Sequence, residues 1–418
     1  MTGPIYLVPE LCFMTGLSDE QRANFQLMKA LGEHTRQDPK TRTRTLMKFH
    51  ERMASTPEIK QDLSAWNLEL SPKMEIIDAR TLAPEDILGQ GSTKATYKSD
   101  NADWGNCFRK WNCFGSISVS KWVVLHSTKD EAITKEFIAS LTKVTPSLGM
   151  KLAKPKMVAL ADNRPSTFLA SLDTVIAMSP QLVMTVVPNN KGDHYAAIKK
   201  KCYLEKPIPS QVVTSTVLSK PKGLMSVATK VAIQMNAKLG GEPWAVKIPM
   251  KNTMVIGYDT YHDTLKKGVS VGAVVASLNN TMTKYLSVAN LHSNPQQELN
   301  DNMCPAITKA LRKYHELNKE FPARIIVYRS VHYHLSPFSL LNTQSRDGVG
   351  DGQIQYVLEH EIKAIQSCMA KAGLPDDQVK LTYIIVNKKI NTKFISSPSP
   401  ANPLCGTVID DVVTLPER

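Results

Sequence analysis

KNTMVIGYD (251–259), GAVVASLNN (272–280) and KYLSVAN (284–290) are three short apolar runs in succession, rich in Val, Ile, Tyr and Leu and separated by polar or glycine-containing breaks. Runs of this length and composition read as strands, and their closeness in the chain makes a meander. Beyond them, QQELNDNMCPAITKALRKYHELNK (296–319) reads as a long helix and RIIVYR (324–329) as a strand. VLEHEIKAIQSCMAKAG (357–373) then reads as a helix and KLTYIIVNKK (380–389) as a further strand.

Three strands in meander order followed by helix, strand, helix, strand is the order of a ribonuclease H-like sheet. Upstream the pattern differs: SKWVVLHS (120–127), QLVMTVVP (181–188) and SQVVTSTVL (210–218) read as strands. Amphipathic helices are expected at DEAITKEFIASLTKV (130–144), HYAAIKKKCYLE (194–205) and SVATKVAIQMNAKLGG (226–241), the last closed by two glycines. Alternation of this kind predicts an open, mainly parallel, Rossmann-like sheet. Before it lie two expected helices, in LSDEQRANFQLMKALGEHTR (17–36) and TRTLMKFHERMAS (43–55), and then a stretch rich in Gly, Ser, Lys and Asn at 89–106. The predicted fold class is α/β, with divisions at 1–115, 116–246 and 247–418.

With 418 residues, 42% hydrophobic and 21% charged, the chain is long enough for two or three cored domains and is not disordered by composition. No apolar run reaches about 18 residues, and the start MTGPIYLVPELCFMTG lacks a basic leader region, so a soluble intracellular protein without a membrane span is expected. The seven cysteines include no C-x-x-C pair, which points to reduced thiols rather than a disulfide framework or zinc site.

The net charge of +13 is uneven: residues 191–238 hold nine lysines against Asp193 and Glu205, more than half of the excess. Such a segment either binds a polyanion or forms a solvated lysine-rich face. Tyr195 and Lys199 stand at i and i+4, so a ring and an ammonium share one helix face, suited to stacking a terminal base while holding its phosphate. Gln211 at a strand start, with Gln234 and Lys238 on the later helix, is positioned to converge with them.

In the third unit Asp259 ends the run MVIGYD, where a side chain faces the usual ligand crevice of an α/β sheet. Asp347 lies in RDGVGDGQ (346–353), and Glu298 at the front of the long helix. Carboxylates from neighbouring strand ends can bridge a pair of Mg²⁺ ions for phosphodiester hydrolysis. The alternative for each is a turn or helix cap. Asp263 and Asp351 are expected as cap or surface residues, Glu359 and Glu361 as a solvated helix face.

YLVPELCFMTGL, KVTPSLGM, HYAAIKKKC, PSQVV, ATKVAIQMNAKLGG, VIGYDTYHD, RDGVGDGQ, NKKINTKF and GTVIDDVVTLPER together resemble, in order, signature stretches of the C-terminal half of Argonaute proteins, and more closely the PIWI clade. The resemblance covers nearly the whole chain. It implies the end of a PAZ domain plus a helical linker over 1–115, a MID domain over 116–246 and a ribonuclease H-like PIWI domain over 247–418. In that family the MID pocket binds the guide RNA's 5′ phosphate through Tyr, Lys, Gln and Lys, which Tyr195, Lys199, Gln211 and Lys238 match, with Gln234 at a neighbouring pocket position. Asp259, Glu298 and Asp347 match the first three catalytic residues, of which Asp259 and Asp347 would hold Mg²⁺ (or Mn²⁺). The implied partners are a small, piRNA-type guide RNA, a complementary target RNA and silencing partner proteins, with the cytoplasm favoured over the nucleus.

The chain departs from the family at two places. It stops at LPER418, ahead of the family's fourth metal-site residue. YR (328–329) is also separated from DG (347–348) by SVHYHLSPFSLLNTQSR (330–346), whose removal restores YRDGVGDGQ. Displacing a catalytic carboxylate by 1 Å can cost on the order of 10²-fold in rate. The expectation is a guide-binding chain with impaired target cleavage, and the alternative a non-catalytic carrier that silences through partners.

Overall fold

The structure is a computed structural model that describes residues 17–91, 93–98, 100–189, 192–220, 222–262, 270–292, 303–331, 361–374, 379–387 and 392–413. It opens with four helices, α1 (Asp19–Ala23), α2 (Phe25–Thr35), α3 (Pro39–Ser55) and α4 (Pro57–Ala65). Ser18 and Gln21 form a capping box at the start of α1. Asn24 both ends α1 and caps α2, accepting from the Gln26 and Leu27 amides at 3.1 Å each. This double role divides what the sequence predicts as one helix, because a capping side chain competes with the helical backbone for its own N–H groups. Strands β1 (Arg80–Thr81), β2 (Ile87–Leu88) and β3 (Lys94–Ala95) and a 3₁₀ turn at Gly105–Arg109 follow.

The second region comprises β4 (Trp122–Ser127), α5 (Glu131–Val144), β5 (Lys156–Leu160), α6 (Pro165–Ala177), β6 (Leu182–Val187), α7 (Gly192–Lys200), β7 (Ser210–Thr214), α8 (Ser215–Leu218) and α9 (Leu224–Lys238). The four strands are parallel in the order β5-β4-β6-β7. Every residue of β4 and β6 is buried, as strands covered on both faces require. Trp122, Val124, Leu182, Met184 and Val186 pack with Phe137 and Leu141 of α5 and Ala232 and Met235 of α9. Val123, Leu125, Val183 and Val187 face Phe168 and Leu172 of α6 and Ile198 of α7. Residue alternation along each strand thus feeds two separate cores. Relative to the sequence reading, β5 and α6 are additional, and the predicted strand 210–218 turns helical after Thr214.

Residues 114–117 run back against the end of this region. The Gly115 amide donates to the Glu242 carbonyl at 2.8 Å, and the Glu242 amide returns a bond to the Gly115 carbonyl at 2.7 Å. Asn236, fully buried, donates to the same Gly115 carbonyl and accepts from the Ile117 amide, both at 2.9 Å. Gly241 closes over it, where an added Cβ would lie 2.1 Å from the Asn236 Oδ1.

After β8 (Ala245–Val246), which pairs with β2, come β9 (Thr253–His262), β10 (Ser270–Ser277), β11 (Tyr285–His292), α10 (Met303–Asn318), β12 (Arg324–Val331), α11 (Lys363–Lys371), β13 (Lys380–Asn387) and β14 (Thr407–Val408). The order β11-β10-β9-β12-β13 is antiparallel across the first three strands and parallel from β9 to β13. The ribonuclease H-like order expected from the sequence is therefore present. Met254, Ile256, Ile325 and Val327 face α10 and α11. Cys304 of α10 and Cys368 of α11 form a disulfide, their Cα atoms 5.8 Å apart. This corrects the expectation of reduced thiols throughout. Two helices packed side by side bring together cysteines 64 residues apart, which their spacing in the sequence conceals. Among the described residues no helix is long and apolar enough to cross a membrane.

Candidate functional site

Helix α7 returns from β6 along the sheet and ends beside the start of β7, which brings Lys199 to Ser210. Lys199 is 8% exposed, and its Nζ donates to the Ser210 carbonyl (3.0 Å), the Ser210 hydroxyl (2.8 Å) and the Tyr203 hydroxyl (3.3 Å). Lys238, in the last turn of α9, turns its ammonium inward to the same Ser210 carbonyl at 3.1 Å and to Gln211 Oε1 at 2.7 Å. Gln211 Nε2 donates to Gln234 Oε1 at 3.0 Å. Lys199, Gln211, Gln234 and Lys238 thus form one connected network through Ser210. Tyr195 stands beside it, its ring centroid 5.7 Å from the Lys199 ammonium and half its surface exposed.

Among the described residues no carboxylate pairs with either ammonium. Burial pushes the Lys199 amine down, and burial together with the Lys199 charge pushes Lys238 down to about 8. Two cations drawn toward one neutral carbonyl can together hold an anion, because each ammonium is stronger as a donor to a charged oxygen than to an amide oxygen. Ser210 and Tyr203 did not stand out in the sequence. Tyr203 follows Lys199 by four residues, the same interval that singled out Tyr195 on the other side.

In the second sheet, Asp259 is the first residue of β9 beyond its pairing with β12, which ends at Tyr258 opposite Arg329. Strand β9 continues to His262 alongside β10, with Asp259 opposite Ala273, so Asp259 is not at the strand's end as the sequence suggested. Alternation places its side chain on the face away from α10 and α11, partly buried, with Oδ1 accepting from the Thr260 amide at 3.0 Å. Glu298 and Asp347 lie outside the described residues, as do Asp263, Asp351 and Glu359. Of 330–346, only the first two residues are described, and they extend β12 to Val331 opposite Asn387. Among the described residues no group of three or more His, Cys, Asp or Glu side chains could hold a metal ion.

Glu361 requires a correction. It is not on a solvated face but fully buried, with Arg329 Nε 3.6 Å from its Oε1 and the Tyr383 hydroxyl donating to its Oε2. The Arg329 guanidinium in turn lies 4.4 Å from the Tyr258 ring centroid. Burial pushes the Glu361 carboxyl up while the Arg329 charge opposes it. The cluster ties β9, β12 and β13 together at one end of the sheet, immediately beside Asp259.

The Piwi domain family matches residues 182–331 and 344–418. The chain belongs to the PIWI clade of Argonaute proteins. It is 41% identical to the Piwi-like protein Siwi of Bombyx mori over 99% of this chain and 44% of that protein, and 36% identical to aubergine of Drosophila melanogaster over 99% and 46%. It therefore spans less than half the length of these relatives. The crystal structure of Drosophila Piwi superposes with a TM-score of 0.82 at 30% identity, over 99% of this chain and 53% of that one. A Kluyveromyces polysporus Argonaute solved with a guide RNA shares the fold, with a TM-score of 0.69 at 17% identity over 96% of this chain and 50% of that one. The PIWI match breaks between residues 331 and 344, inside the stretch that separates Arg329 from Asp347.

Proposed function

We propose that this PIWI-clade chain anchors the 5′-phosphorylated end of a small, piRNA-type guide RNA for RNA-guided silencing. The observation that carries this reading is the pair of ammonium groups, Lys199 and Lys238, meeting at the Ser210 carbonyl, with no carboxylate paired to them among the described residues and with the exposed ring of Tyr195 next to them. A 5′-phosphate supplies the missing negative charge, Gln211 and Gln234 hold Lys238 in line, and Tyr195 offers a stacking surface to the first base. Base pairing by the guide would select a complementary target RNA, with the protein contributing charge rather than sequence readout.

Target cleavage is the finer part of the proposal. Asp259, with Glu298 and Asp347, is assigned to hold Mg²⁺ or Mn²⁺, which would activate water and stabilise the leaving oxygen. Only Asp259 of this set is among the described residues. The interrupted family match at 331–344 supports impaired cleavage in this chain and favours, as the second reading, a carrier that silences through partner proteins.

Binding of 5′-phosphorylated against 5′-hydroxyl RNA tests the anchor: phosphate is expected to be preferred, and equal affinity would refute it. Target cleavage with Mg²⁺ is expected to be weak in this chain and higher after deletion of residues 330–346. Efficient cleavage by the undeleted chain would contradict the impairment.

A further inference from the structure

Tyr203 sits on the short π-helical turn Lys201–Glu205 that continues α7. Its ring centroid lies 4.8 Å from the Lys199 ammonium, and its oxygen accepts from that ammonium at 3.3 Å. Tyr203 is 57% exposed and the adjoining Leu204 77%, so core packing does not explain why an aromatic side chain is held here. Lys199 thus lies between two rings, those of Tyr195 and Tyr203, whose outer surfaces face solvent.

The direction of the hydrogen bond matters. An ammonium has no acceptor, so the contact uses a lone pair of the Tyr203 oxygen and leaves the phenolic hydrogen available to donate. Both ammonium groups already point at the Ser210 carbonyl. An oxyanion drawn to them meets, beside Lys199, a third donor that is neutral and oriented by a cation. Such a donor adds a charge-assisted bond to an anion and almost nothing to a neutral hydroxyl.

We propose that Tyr203 determines specificity in the guide pocket, its hydroxyl donating to a non-bridging oxygen of the RNA's 5′-terminal phosphate. This deepens the reading of Lys199 and Lys238 as a 5′-phosphate anchor and rests on it. The contact selects for the phosphate and is indifferent to the first base.

The test compares Tyr203→Phe, which keeps the ring over the ammonium and removes only the hydroxyl, with Lys199→Ala in the full chain. Each is titrated with the same RNA carrying a 5′-phosphate or a 5′-hydroxyl. Tyr203→Phe is expected to weaken 5′-phosphate binding roughly tenfold or more, the usual scale for a bond to a charged group, and to leave 5′-hydroxyl binding unchanged. An unchanged phosphate preference in Tyr203→Phe, while Lys199→Ala abolishes it, overturns the role of Tyr203 and leaves the anchor intact. Equal weakening toward both RNAs overturns it as well, since a structural role moves both affinities together. No loss of preference in Lys199→Ala removes the anchor itself and this proposal with it.

Discussion

Lys199 and Arg329 are both cations with less than a tenth of their surface exposed, one beneath each sheet. Their surroundings are opposite. Arg329 lies against the buried carboxylate of Glu361 and the ring of Tyr258. Lys199 shares neutral oxygens with a second cation, Lys238. A matched cation is part of the scaffold, because its counter-charge is present whether or not anything binds. Two cations with no carboxylate partner among the described residues are held together against their mutual repulsion by the surrounding fold, and an incoming anion would relieve it. On the proposed 5′-phosphate reading, the second sheet uses its buried cation for stability where the first uses its own for affinity.

Removing the two cations should have different consequences. Arg329→Met leaves Glu361 as an uncompensated buried charge and is expected to lower the unfolding free energy by about 3–5 kcal/mol, measured by urea denaturation. The double change with Glu361→Leu should recover most of that loss. Lys199→Ala should leave denaturation nearly unchanged and reduce the preference for 5′-phosphorylated RNA on the order of 10²-fold, as loss of one partner from a desolvated charge contact does. A drop in stability with intact preference would mean that Lys199 belongs to the scaffold.

The Lys238 amine, held down to about 8, sharpens the comparison through pH. Bound phosphate favours the protonated amine. Binding above pH 8 must therefore be accompanied by proton uptake, and phosphate preference should fall as pH rises from 8 to 9, by up to about tenfold for one linked proton. A flat profile over that interval, in titrations at constant ionic strength, would sever Lys238 from the anion. Asp259→Asn carries the smallest expected effect: guide affinity unchanged within about twofold, since Asp259 lies in the other sheet and has no place in the phosphate network.

Local spacing made the clustering of Tyr195, Lys199, Gln211, Gln234 and Lys238 legible. Tyr195 and Lys199 share a helix face by their interval alone, and Gln234 and Lys238 repeat that interval on α9. Both sheets could be read from alternation and strand order for the same reason. The features that escaped depend on contacts distant in the chain. Glu361 has the composition of a solvated helix face, and only the arrival of Arg329 from β12 and Tyr383 from β13 buries it. Cys304 and Cys368 meet only because α10 and α11 pack together. Strand β5 escaped for a different reason: it is a short edge strand, KMVAL, mostly exposed or half-buried, with a shorter apolar run than β4 and β6.

Asn236 lies between Gln234 and Lys238 on α9 and faces the opposite way, gripping residues 115 and 117 of the incoming chain. A fragment beginning at residue 116 would lose the Gly115 half of that grip, with its pairing to Glu242, and loosen the end of the helix that carries Gln234 and Lys238. The smallest fragment that keeps this grip therefore begins before Gly115, upstream of the boundary at 116 expected from the sequence. In the intact chain the same grip ties the segment entering the first sheet to α9 at Asn236, half a turn from Gln234 and Lys238.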